Sequence, residues 1–161
     1  SQDKGLIAWL DQGAGASAEA ISGDGLKGDH LDSFNRGKAL YSGVAACFGC
    51  HGPDGAGLPN LGPPLDGSEF VTGPEERLSR ILLHGLSGPI TVAGVNYTPQ
   101  ADMPGLAMNP SITDDNLADI ATYVRHEWSN KAPQVKAELF VKTRVDTKDQ
   151  AGRPYNAATI K

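Results

Sequence analysis

Three stretches of the chain place apolar residues at helical spacing. The first runs from Ser33 or Asn35 to about Ala46, with Phe34, Ala39, Leu40 and Val44 as its stripe and Ser33 as candidate N-cap. Gly37 and Gly43 lower helix propensity there, and a glycine inside a helix marks close contact with another backbone. The second begins at Pro74, carries Glu75 and Glu76 in its first turn, presents Leu78, Ile81 and Leu82, and ends at Gly85. The third starts at the N-cap Thr113, buries Leu117, Ile120, Ala121 and Val124, and ends near Trp128. A short helix is expected over roughly 134–144.

Between these segments the pattern breaks. Residues 52–73 hold turn formers throughout and read as loop. Residues 90–97, Ile-Thr-Val-Ala-Gly-Val-Asn-Tyr, read as a short hairpin turning at Ala93–Gly94. Residues 102–110 read as an irregular loop. Residues 1–32 read as an N-terminal extension whose Trp9 packs on the domain surface.

Composition adds two points. Aromatic residues are only 6% of the 161, a thin supply of large core side chains that a bound apolar cofactor would supplement. No run approaches the roughly 18 apolar residues of a membrane-spanning helix. The net charge of −5 is uneven: residues 1–32 carry −4, residues 33–129 carry −5, and residues 130–161 carry +4. No dense basic stripe points to nucleic acid, and the basic tail reads as a solvated segment on or beside an acidic domain.

Chemistry is concentrated at residues 47–51, Cys-Phe-Gly-Cys-His. Two thiols three residues apart on one helical turn reach two vinyl groups on one edge of a porphyrin. The next residue then points an imidazole across the ring towards iron. A thioredoxin-like dithiol would follow a strand and precede a long helix; here a helix precedes and a glycine-proline loop follows. A structural zinc site wants four ligands, usually several of them cysteine, and Cys47 and Cys50 are the only cysteines. A disulfide across so short a loop would stabilise almost nothing. The motif therefore predicts one haem c, attached through Cys47 and Cys50, with His51 as proximal ligand. Candidates for the other face of the iron are Met103, Met108, His30, His84 and His126. Met103 is favoured, because it follows the uncharged stretch 86–101 and precedes Pro104, which stiffens a loop carrying a thioether to the ring. Met108 competes from the same loop, and His84 and His126 read as surface or capping residues.

Over residues 33–129 the chain resembles the class I cytochrome c family. Gly37, Tyr41, Ile120 and Tyr123 resemble the contact between that family's first and last helices. Gly62-Pro63-Pro64-Leu65-Asp66-Gly67 resembles the segment behind its proximal histidine, and Met103-Pro104 its distal-ligand loop. The resemblance implies an all-α fold of short helices and long loops wrapped around one haem. It further implies a His51 hydrogen bond to the Pro63 carbonyl and packing of Leu65 on the haem. A narrower likeness, through residues 82–90, Tyr97, residues 103–105, residues 123–125 and residues 128–130, is to single-haem domains accompanying bacterial periplasmic dehydrogenases. It adds Tyr97 to the cofactor-binding residues. The flanks 1–32 and 130–161 depart from the minimal family domain.

The resulting expectation is an electron carrier and not an enzyme. Its redox protein partners would be a dehydrogenase donor and an oxidase or another cytochrome as acceptor. A haem domain of a larger dehydrogenase is the alternative. An open-site haem enzyme or gas sensor ranks below both, since residues 86–105 offer no distal acid except Asp102. Residues 43–53 and 86–101 lack formal charge, which predicts a small apolar contact patch ringed by Asp54 and Asp102. Haem attachment follows export, so the resemblance implies a periplasmic or otherwise exported protein, and the polar opening from Ser1 says nothing against export.

Overall fold

Two helices cross at a glycine, and the rest of the chain is arranged around them. The computed structural model describes residues 22–161; the expected packing of Trp9 lies outside the described residues. Helix α1 spans Gly28–Ser42 and buries Ser33, Phe34, Gly37 and Tyr41. It starts earlier and stops sooner than the sequence pattern suggests. Gly43 ends it, and the buried face is Phe34–Gly37–Tyr41, with Ala39 and Val44 left exposed. Ser33 is no cap: its hydroxyl donates to Asp119 at 2.6 Å.

The crossing partner is a helix over Asp114–His126, the fifth in chain order. Its N-terminus is a capping box in which Thr113 accepts from the Asn116 amide while the Asn116 side chain accepts from Thr113. A β-carbon at Gly37 would stand 1.9 Å from the Asp119 carbonyl oxygen, so only glycine admits this approach. Tyr41 and Phe34 meet Tyr123 with ring centroids 5.3 and 5.1 Å apart.

Between these helices come α2 (Phe48–His51), α3 (Glu69–Thr72) and α4 (Glu75–His84). The Asp114–His126 helix is α5, and α6 spans Ala137–Asp146. Helix α3 interrupts the expected loop because Ser68 caps it, accepting from the Phe70 amide. The main core packs α4, α5 and α6 through Leu82, Leu83, Leu117, Ala121, Val135 and Phe140.

The all-α expectation needs correction: among the described residues helices dominate, but five short strands accompany them. They are β1 (Gly85–Ser87), β2 (Ile90–Val92), β3 (Val95–Tyr97), β4 (Met103–Pro104) and β5 (Tyr155–Asn156). Strands β2 and β3 form the expected hairpin, with Ala93 and Gly94 both at positive φ. The expected irregular loop at 102–110 instead contributes β4, which pairs antiparallel with β1, while β5 pairs parallel on the other edge. Gly85, at φ 88°, stops α4 and lets the backbones close: a β-carbon there would lie 2.2 Å from the Met103 carbonyl oxygen.

The basic tail is more than a solvated flank. Val135 and Phe140 are fully buried, and Arg125 reaches from α5 to the Val71, Gly73 and Pro133 carbonyls. No helix among the described residues is long and apolar enough to cross a membrane.

Two substitutions check this account by denaturant unfolding. Gly37→Ala is expected to cost about 3 kcal/mol, because the crossing helices must separate. Thr113→Ala is expected to cost about 1 kcal/mol through loss of the cap.

Candidate functional site

Helix α2 is one turn long, and Cys47, Cys50 and His51 project from it. It ends at Gly52, whose φ of 78° turns the chain into the loop that wraps His51. The loop is tied back by the Gly57 amide donating to the His51 carbonyl at 2.9 Å and the Leu65 amide to the Gly55 carbonyl at 2.8 Å. Close approach again demands glycine: a β-carbon at Gly62 would lie 2.7 Å from the Cys50 carbonyl oxygen.

His51 is buried, with 8% exposure, and its Nδ1 lies 2.9 Å from the Pro63 carbonyl oxygen. A carbonyl only accepts, so Nδ1 carries the proton and Nε2 keeps its lone pair. Burial pushes the imidazole below its ordinary pKa, opposed by the bond to Pro63. The ring is therefore neutral near pH 7, the form that ligates a metal. Burial also pushes the Cys47 thiol up to about 11.

Cys47, Cys50, His51, Pro63, Leu65 and Met103 all line one cavity. Leu78, Ile81, Leu82, Ile120 and Val124 also line it, and Leu86, Ile90 and Val92 contribute from the strands. Among the described residues, Asp102 is the only acidic side chain in its walls, and no lysine or arginine lines it. Two thiols, an imidazole lone pair and a thioether around an apolar slot suit a flat iron porphyrin, and nothing in the donor set argues against one.

The other candidates fall elsewhere. Met108 is 79% exposed and lies outside the cavity walls. His30 and His126 pack edge to face at 5.6 Å and are absent from the cavity wall. His84 is not a surface residue as expected. It is buried, with Nε2 2.7 Å from the Thr147 hydroxyl and Nδ1 accepting from the Gly152 amide. Tyr97 is absent from the cavity wall and lines an adjoining pocket that shares Leu61, Gly62 and Pro99 with it. Tyr97 is the cross-strand partner of Ile90 and packs with it on the same face of the hairpin, but it is Ile90 that meets the cavity.

Sequence reasoning missed Asn130. Its amide nitrogen donates to the Leu65 and Val124 carbonyls, and its oxygen accepts from the Gly67 amide, pinning the far end of the wrapping loop. It also missed the Tyr41 hydroxyl, which donates to the Gly52 carbonyl at the turn after His51. Neither residue carries a local signal; each acts on backbone remote in sequence or beyond its own helix.

Comparison with known proteins agrees with this geometry. The cytochrome c family model matches residues 34–128. The chain is 35% identical over 92 residues to the cytochrome c subunit of the quinone alcohol dehydrogenase of Gluconacetobacter polyoxogenes, covering 56% of this chain and 18% of that subunit. It is 34% identical over 96 residues to cytochrome c-552 of Thermus thermophilus, covering 57% of this chain and 69% of the relative. It is 33% identical over 109 residues to a nicotinate dehydrogenase polypeptide of Pseudomonas putida, covering 63% of this chain and 8% of that polypeptide. The match thus spans less than a fifth of each of these two dehydrogenase components. With more than half of the chain matched to one family model and the cysteine pair inside it, the chain belongs to the cytochrome c family, and its cofactor is a covalently attached haem c.

Proposed function

We propose that the protein is a single-haem electron carrier. In this reading Cys47 and Cys50 bear the thioether bonds, His51 is the proximal ligand and Met103 the distal one. The observation that carries it is the presence of Met103 in the cavity wall while Met108 and the remaining histidines stand outside. With His51 and Met103 both holding the iron, no position would be left on it for a substrate. The bound haem supplies a one-electron iron couple. The chain does the rest: His51 is held in one tautomer by Pro63, which raises its basicity as a ligand. The apolar walls exclude water, and with the Met103 thioether they favour the reduced state. Leu65, in the wall beside Pro63, packs on the ring, and Tyr97 marks the margin of the site from the adjoining pocket.

Electrons would enter and leave at the exposed edge beside α2. Phe48, Val44, Leu58 and Leu61 are exposed apolar residues of this region. Asp54 and Asp102, also exposed, supply acidic charge on its rim. A small patch of this kind suits brief redox encounters. The partners proposed are a dehydrogenase as donor and an oxidase or another cytochrome as acceptor, in the periplasm or another exported location. The small share of the alcohol and nicotinate dehydrogenase components that the chain spans supports a second reading, a haem domain within a larger dehydrogenase.

Three measurements test the proposal. Carbon monoxide added to the reduced protein should leave its spectrum unshifted; a full shift indicates an open iron and the enzyme or sensor reading. The charge-transfer band of sulfur ligation in the oxidised protein should disappear in Met103→Ala and persist in Met108→Ala. Asp54→Asn should slow oxidation by a small cationic complex several-fold at low salt, with the difference lost at high salt and the midpoint potential nearly unchanged.

A further inference from the structure

Leu86 has two cross-strand neighbours. On one edge of β1 it pairs with Met103 of β4, and on the other with Tyr155 of β5. The carboxy-terminal tail, beyond the residues 34–128 matched by the family model, is thus one strand away from the residue read as distal ligand. Three further contacts converge there. His84, which immediately precedes β1, holds Thr147 and Gly152 of the tail with its two ring nitrogens and meets the Tyr155 ring edge-on at 5.8 Å. The Ala157 amide donates to the Ser87 carbonyl at 2.9 Å, and Ala157 is buried against Ile90 and Val92, both in the cavity wall. Arg144 donates to the Ala107 carbonyl at 3.0 Å, fixing the chain just after Met103.

A ladder of two residue pairs has little stability of its own. The β1–β4 pair gains it from a second edge, and that edge is made by the tail.

We propose that Tyr155–Ala157 is a positioning element for the distal ligand, acting through β1 to keep Met103 at the iron against competing ligands. The proposal rests on the reading of Met103 as distal ligand. Tyr155 and Ala157 touch neither iron nor haem in this scheme; they set how firmly the β4 backbone holds the thioether in place.

The test uses the full, haem-loaded chain and three variants. Ala157→Pro removes the amide that donates to Ser87, Tyr155→Ala removes the ring beside His84, and Tyr155→Phe keeps that ring. Imidazole affinity of the oxidised protein is measured by titration, together with the sulfur charge-transfer band and amide hydrogen exchange across residues 85–87, 103–105 and 155–157. The expected result is imidazole binding roughly tenfold tighter in Ala157→Pro and Tyr155→Ala, equivalent to about 1.4 kcal/mol. Exchange at 103–105 should quicken in both, and Tyr155→Phe should match the parent. Quickened exchange at 155–157 with unchanged imidazole affinity and unchanged exchange at 103–105 overturns the proposal. A parent protein without the sulfur band overturns instead the reading of Met103 on which it stands. If Ala157→Pro fails to accumulate, Tyr155→Ala against Tyr155→Phe gives the same decision.

Discussion

A buried imidazole must have its N–H satisfied, and an unpaired one costs about 1–3 kcal/mol. In this protein the acceptor is the Pro63 carbonyl, 2.9 Å from His51 Nδ1, and much of the surrounding structure places that oxygen. The loop from Gly52 to Gly67 doubles back on α2 within space that admits only glycine at Gly57 and Gly62. Asn130, from beyond α5, holds the loop at Leu65 and Gly67, and Trp128 packs against Gly55. Tyr41, from α1, holds Gly52. Residues from α1 and from the segment after α5 thus converge on the orientation of one ring.

The two sides of the cavity are built differently. The side of Cys47, Cys50 and His51 is local: a single turn of helix and the loop that follows it. The side of Met103 depends on strand pairing among segments separated by up to some 70 residues, with β1 shared between β4 and β5. Local geometry tolerates change elsewhere in the chain, whereas long-range pairing transmits it. A side chain held by a two-residue strand, as Met103 is, is where an altered tail would be felt first.

Charge does not account for the attachment of the tail. The Lys136–Asp29 pair is well exposed on both partners, and exposed pairs contribute about 0–1 kcal/mol. Burial of a side chain such as Phe140 is worth about 1.5–3 kcal/mol. Val135 and Phe140 therefore hold the segment, with Arg144–Asp114, partly buried on both sides, as the best placed of its ion pairs.

By itself, the sequence determined what depends on neighbours in the chain. The Cys47–His51 motif names the cofactor because the cysteine spacing and the adjacent histidine are both local. The α4 and α5 boundaries follow from Pro74, Gly85 and Thr113, and the hairpin from Ala93–Gly94. Only the tertiary structure decided what depends on remote backbone. Where α1 ends and which face it buries are set by the crossing at Gly37, not by its own weak stripe of Ala39, Leu40 and Val44. Met103 and Met108 are equivalent as types and differ only because β4 finds an edge of β1 while Met108 faces solvent. His84 looked like a capping residue because the groups that satisfy it, on Thr147 and Gly152, lie more than 60 residues away. Helical and turn preferences are written in short windows; the pairing of strands two or three residues long is not, because its stability comes from what packs around it.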